Sequence, residues 1–162
     1  MDFQHEWIGH ENDLEYIFSN LIEHVSTRCN AISDNPMAAL YAQAFAAFPQ
    51  AKFILSIRGS DKWVASVRKH VGDRPFVPAE KVQYWKYLDF KPKGLYEIDD
   101  NTLHALYRRH QKETIDFFSK HNALHQLCII NLDDDENLNS AILSDFLQIS
   151  PPILFPWIDI KG

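Results

Sequence analysis

Apolar residues recur at three- and four-residue intervals in five stretches and run nearly unbroken in three short ones, the pattern of amphipathic helices interleaved with buried strands. Residues 11–27 carry Leu14, Ile17, Phe18, Leu21, Ile22 and Val25 on one helical face. The apolar run 29–33 predicts a strand, and Asp34-Asn35-Pro36 then stops it, with Asn35 as N-cap and Pro36 opening a helix that ends before Pro49. Residues 52–57, Lys-Phe-Ile-Leu-Ser-Ile, are rich in large and β-branched side chains, as strands covered on both sheet faces tend to be. Ser60 is placed to cap a helix through Trp63, Val64 and Val67 to about residue 70.

Between residues 72 and 99 the periodicity weakens, because Pro75, Pro78, Pro92 and Gly94 interrupt an aromatic-rich run. This predicts a partly helical excursion with the character of a lid. A long helix follows over 101–121, with Leu103, Leu106, Tyr107, His110, Thr114 and Phe117 along one stripe. A third strand is expected at 127–132, a turn and cap at Asp133 to Asp135, and a last helix through Leu138, Ile142 and Phe146. Helices alternating with strands imply an α/β fold with a parallel sheet flanked by helices. No repeat or low-complexity linker divides the chain, so residues 1–162 read as a single domain.

Composition narrows the function classes. The chain has 162 residues, 46% hydrophobic and 23% charged, enough for one core. A formal net charge of -6 argues against an extended nucleic-acid or polybasic membrane surface, yet leaves room for a small anion site. Cys29 and Cys128 both border apolar runs, which favours buried reduced thiols and a cytoplasmic setting. The N-terminus has no secretory apolar region, and no stretch approaches the roughly 20 apolar residues of a membrane span. Eight histidines invite a metal test, but His5 with His10, and His104 with His110, lack ligand spacing, so no metal is expected.

The sharpest local feature is Arg58 at the end of the 52–57 strand, with Ser66 eight residues later in the following helix. A strand, a tight turn and a helix form the phosphate-site arrangement of α/β folds. Arginine contributes a charged planar fork and serine a hydroxyl donor, so the two can converge on one anion. A surface ion pair for Arg58 and plain packing for Ser66 are the alternative.

The run FPQAKFILSIRGSDKWVASV resembles the segment of the P-loop sulfotransferases that binds the 3′-phosphate of the sulfate donor PAPS, where a strand ends in Arg and Ser follows eight positions on. AISDNPMAALYAQAFAAFP before it, and LYRRHQKETIDFF with LCIINLDDDENLNSAILSDFLQISPP after it, resemble the neighbouring parts of the bacterial-type branch in the same order. The resemblance implies a P-loop-NTPase-like parallel sheet, PAPS as co-substrate without a metal, and sulfuryl transfer to a hydroxyl or amine of a small-molecule or glycan acceptor. Arg58 and Ser66 would clamp the 3′-phosphate, and Tyr107, in a Tyr-x-x-His pattern with His110, would lie against the adenine. An ordinary core face is the alternative for Tyr107. Asp34 falls where relatives place the histidine that deprotonates the acceptor, and a carboxylate raised in pKa by burial can act as general base. A turn or cap role is its alternative. His24, His70 and His110 are further base candidates.

The departures from the family concern the other half of the donor. Sulfotransferases hold the 5′-phosphosulfate in a glycine- and serine-rich loop with a Lys or Arg after the first strand. Here the glycines are Gly9, Gly59, Gly72, Gly94 and Gly162, and none stands in such a cluster. Phe155-Pro156-Trp157 also replaces the family's Phe-Pro-His. The sequence therefore reads as an N-terminally shortened or divergent member, its first strand and loop missing and its sheet edge open to a partner such as a second copy. A non-catalytic module using the aromatic 76–90 region as a partner surface is the rival from another class. A small-metabolite kinase is a weaker one, because no Walker-type lysine is present.

Overall fold

The computed structural model describes residues 7–25 and 30–151. In chain order these form α1 (Leu14–Val25), a 3₁₀ turn (Met37–Ala39), α2 (Tyr41–Ala47), β1 (Phe53–Ile57), α3 (Ser60–Val71), α4 (Pro78–Trp85), α5 (Asp100–Lys120), β2 (Leu127–Asn131) and α6 (Glu136–Leu147). The two strands pair in parallel, with Phe53 opposite Leu127 and Ile57 opposite Asn131. A parallel pair needs a long crossover, and α3, α4 and α5 supply it. The architecture is the expected α/β class, with a small parallel sheet among helices.

Each boundary has a local cause. Asp99 caps α5, its Oδ1 accepting the Thr102 N–H at 2.9 Å and its Oδ2 the Thr102 hydroxyl at 2.8 Å. Asp135 caps α6 by accepting from the N–H groups of Asn137 and Leu138. Gly59, one residue ahead of the expected Ser60, stands at the N-cap of α3. The excursion folds back on itself: Phe76 N–H donates to the Lys93 carbonyl at 2.7 Å, and a Cβ on Gly94 would lie 2.7 Å from the Arg74 carbonyl, so only glycine admits this approach. Arg68 then ties α3 to the excursion, donating to the carbonyls of Leu95 and Ile98 and to Asp100 Oδ1. The lid-like excursion is thus part of the body of the fold.

Two sequence expectations are corrected. Residues 30–33 form no strand, and Ala31 and Ile32 are exposed there; a strand in that run would bury nothing. Residue 29 lies outside the described residues. Asn35 is not the N-cap: Pro36 occupies that place ahead of the 3₁₀ turn, after a cis Asn35–Pro36 bond. The turn is closed from Asp34, whose carboxylate accepts the Asn35 N–H at 2.7 Å and whose carbonyl accepts the Met37 N–H at 2.8 Å.

The core sits in two adjoining clusters. Trp7, Ile17, Leu21, Leu40 and Val82 join α1, α2 and α4, while Val64, Phe76, Tyr84, Leu95 and Leu103 join α3, α4 and α5. An aromatic group ties α2, β1 and α5 together around Phe118, whose ring centroid lies 4.8 Å from Phe53 and 5.6 Å from Phe45. The sheet is not covered on both faces as expected. Residues paired in register share a face, so Ile54 and Cys128 point to one side; Cys128 is buried, yet Ile54 is 47% exposed. That side is closed over β2 and open over β1. No helix among the described residues is long and apolar enough to cross a membrane.

Candidate functional site

In open parallel sheets ligands gather outside the carboxyl ends of the strands, and here that edge carries Arg58 after β1 and Asp133 after β2. The backbone of Arg58 is held on both sides by one hydroxyl. Its N–H donates to Tyr107 Oη at 2.9 Å, and Tyr107 O–H donates back to the Arg58 carbonyl at 3.2 Å. Tyr107 is itself fixed, because Trp63 of α3 stacks on its ring at 4.6 Å with 10° between planes, and the residue is 5% exposed. The long helix α5 thereby sets the height at which β1 releases Arg58. Tyr107→Phe removes both bonds and leaves two backbone groups to find other partners. We expect a loss of about 1–3 kcal/mol of stability, read by urea denaturation, with α5 otherwise intact.

The next residue of the turn is gripped from the other strand. Gly59 N–H donates to Asp133 Oδ2 at 2.6 Å, and Lys62 Nζ donates to Asp133 Oδ1 at 2.9 Å. The Gly59 N–H, then Lys62, hold the Asp133 carboxyl below its usual range against the opposing effect of desolvation, and the charge of Arg58 adds a lesser share. A Cβ on Gly59 would stand 3.2 Å from Asp133 Oδ2, so glycine is what lets the carboxylate come so near. The loop delivering Asp133 is ordered by Asn131, whose Oδ1 accepts the Asp133 N–H at 3.1 Å and whose Nδ2 donates to Asp134 Oδ1 at 3.0 Å.

The side chain of Arg58 is half-buried, and its Nε is buried without a hydrogen-bond partner among the described residues. A guanidinium N–H with no acceptor is costly to bury, and an anion would supply one. Ser66 is exposed in the second turn of α3. It shares a face with Lys62, four residues before it, and Lys62 points to Asp133. Trp63 and Val67 lie on the neighbouring face, and Trp63 turns to Tyr107. The structure thus brings Arg58 and Tyr107 into contact, while Ser66 makes no hydrogen bond to Arg58 among the described residues. Asp34 is not part of this corner by any contact: it is exposed, sits at φ 75 and is engaged with its neighbour's N–H.

The histidines differ sharply. His110 is mostly buried, with Nδ1 2.9 Å from the Tyr87 hydroxyl, and burial, reinforced by the Lys86 ammonium, pushes its pKa down to about 4. It is neutral at physiological pH. His70 is exposed near the end of α3, and the His24 side chain lies outside the described residues. His104 lies at the rim, its Nε2 3.5 Å from Asp61. No group of three His, Cys, Asp or Glu residues able to hold a metal occurs among the described residues.

Sequence reasoning missed Asp133, Lys62 and Trp63. Asp133 was grouped with Asp134 and Asp135 as a turn and cap, but only Asp135 caps α6. The available signal was position: an acidic residue just past an apolar strand, in a parallel fold whose other strand ends in Arg-Gly, falls at the ligand edge of the sheet.

These elements define an α/β protein whose parallel strands end at one edge in a turn built around one arginine, its backbone held from two sides by Tyr107. The family model described as the sulfotransferase domain matches residues 4–157, and the chain belongs to that family. No curated protein and no solved structure matches it. Family membership brings a sulfotransferase-like, group-transferring function.

Proposed function

We propose that the Arg58 corner binds the 3′-phosphate of PAPS, and that the protein serves transfer of the sulfuryl group to a hydroxyl or amine of a small-molecule or glycan acceptor. The observation that carries this reading is the unpartnered, buried Nε of Arg58 on a residue whose backbone is fixed by Tyr107. Arg58 would meet the phosphate with its fork and Ser66 with its hydroxyl, while Tyr107 acts through the backbone of Arg58. With Trp63 stacked on its ring and the residue 5% exposed, Tyr107 would meet an adenine only if a covering neighbour moved aside.

Sulfuryl transfer depends mainly on positioning and on charge stabilisation, as phosphoryl transfer does. A phosphate held at Arg58 anchors one end of the donor. In-line attack then forms a bond from the acceptor oxygen or nitrogen to sulfur as the bond from sulfur to the leaving phosphate oxygen breaks. Asp34 is exposed and accepts its neighbour's N–H, so it takes the acceptor's proton only if the acceptor binds beside that turn; Asp34→Asn would then remove transfer and leave nucleotide binding unchanged. Residues 1–162 hold no glycine-rich, Lys-bearing loop of the kind that binds the phosphosulfate in relatives; a nucleotide-binding module without transfer is the second reading.

Calorimetric titration with adenosine 3′,5′-bisphosphate at fixed salt tests the shared part of both readings. Binding in the micromolar range is expected, weakened roughly 10- to 150-fold by Arg58→Ala, the equivalent of a lost charge-assisted hydrogen bond of about 1.5–3 kcal/mol. No binding by the wild type, or equal binding by Arg58→Ala, would sink the 3′-phosphate assignment. Binding without transfer to any acceptor would favour the module.

A further inference from the structure

We propose that Asp133 is a positioning residue for this corner: a surface carboxylate on the loop after β2 that holds the Gly59 N–H and the Lys62 ammonium, and so fixes the β1–α3 turn that presents Arg58. The inference rests on the reading of Arg58 as the phosphate ligand and adds to it a residue from the neighbouring strand.

Two consecutive residues of the turn are held by side chains from two different elements. Tyr107 of α5 brackets the backbone of Arg58, and Asp133 takes the N–H of Gly59 at 2.6 Å. A turn fixed at both positions has little freedom left to reorient Arg58, and such preorganisation strengthens binding by lowering the ordering cost. The close approach depends on the absence of a side chain at residue 59, where a Cβ would lie 3.2 Å from Asp133 Oδ2. Asp133 is in turn steadied by Asn131, which accepts its N–H, and Asn131 is held through its carbonyl by Asn139 Nδ2 at 2.8 Å. The corner is therefore supported from α6 as well as from α5.

Asp133 occupies the Gly59 N–H, a donor that would otherwise attract an anion at this end of α3. The charges bearing on Asp133 are those of Lys62 and Arg58.

The test has two arms on the full chain. In the binding arm, adenosine 3′,5′-bisphosphate is titrated into wild type, Asp133→Ala, Asp133→Asn, Gly59→Ala and the Gly59→Ala/Asp133→Ala pair. We expect Asp133→Ala to weaken binding about tenfold. Asp133→Asn, which keeps an oxygen for the Gly59 N–H, should stay within about threefold of wild type. Gly59→Ala keeps the N–H and crowds the carboxylate at 3.2 Å, so its binding should fall between wild type and Asp133→Ala, and the double variant should bind no worse than Asp133→Ala alone. Unchanged binding by Asp133→Ala overturns the proposal, and tighter binding overturns it in favour of Asp133 as a competitor of the phosphate.

In the second arm the Gly59 amide proton is followed by NMR from neutral to acid pH. It should shift as Asp133 protonates, with a midpoint below the ordinary carboxylate range, and the shift should vanish in Asp133→Asn. A Gly59 amide indifferent to Asp133 overturns the clamp. Failure of the wild type to bind the bisphosphate instead overturns the reading of Arg58, and with it any role of Asp133 toward a phosphate, while the amide alone then decides whether the clamp exists.

Discussion

Phe118→Ala is expected to lower the unfolding free energy by about 3–5 kcal/mol, the usual loss for truncating a buried aromatic ring. Phe118 is 0% exposed and meets rings from three elements: Phe53 of β1, Phe45 and Tyr41 of α2, and Phe117 beside it on α5. Its neighbours are anchored on three elements and cannot all collapse into the gap, so the cavity cost adds to the lost transfer energy. A domain of this size has a net stability on the order of 5–15 kcal/mol, and the loss would take a large part of it. Urea unfolding should show the midpoint falling with the slope unchanged. Phe118→Leu, which keeps most of the volume, should cost less than about 1.5 kcal/mol. Because Phe118 joins α5 to β1, the same variant would also loosen the seat of Tyr107 on Arg58.

Acid should destabilise the fold through His110. The groups around it are the Tyr87 hydroxyl, which bonds its Nδ1, the Lys86 ammonium and Glu113. Burial, then Lys86, hold its pKa near 4 against an ordinary value of 6.5, with Glu113 opposing. Between those two values the unfolded chain binds a proton that the folded chain does not, so stability rises with pH across that window and is lost as pH falls from about 6.5 to about 4. At about 1.4 kcal/mol for each pH unit, the full effect is on the order of 3–3.5 kcal/mol. Denaturation at pH 7 and pH 4.5 should show this loss in the wild type and a much smaller one in His110→Gln. Lys86→Met removes the adjacent cation, and an NMR titration of the His110 ring should then move upward. An His110 midpoint near 6.5 in the wild type would refute the placement of this ring.

Much of the fold was legible because its elements announce themselves locally. The Phe53–Ile57 strand, the α3 helix after it and the long α5 follow from apolar spacing and breakers, and their observed bounds lie within a residue or two of the expected ones. The expected strand at 29–33 failed over its described part because a short apolar run does not itself create a partner to pair with. The expectation that the 52–57 strand is covered on both faces failed for a related reason: apolar composition states what a residue would prefer, and Ile54 remains exposed because no described element covers that side of β1.

The site divides in the same way. The sequence alone determined the family and the α/β class, since both rest on residue order and spacing; that Arg58 and Ser66 meet on one anion is a proposal. The tertiary structure decided that Tyr107 serves as a brace for the Arg58 backbone, that Asp34 closes its own turn, and that Asp133 belongs with Gly59 and Lys62. Residues 59 and 133 meet only because β1 and β2 pair in parallel and end at the same edge. Periodicity reports which face of an element seeks burial; which distant groups share a hydrogen bond is fixed only when the strands choose their neighbours and register.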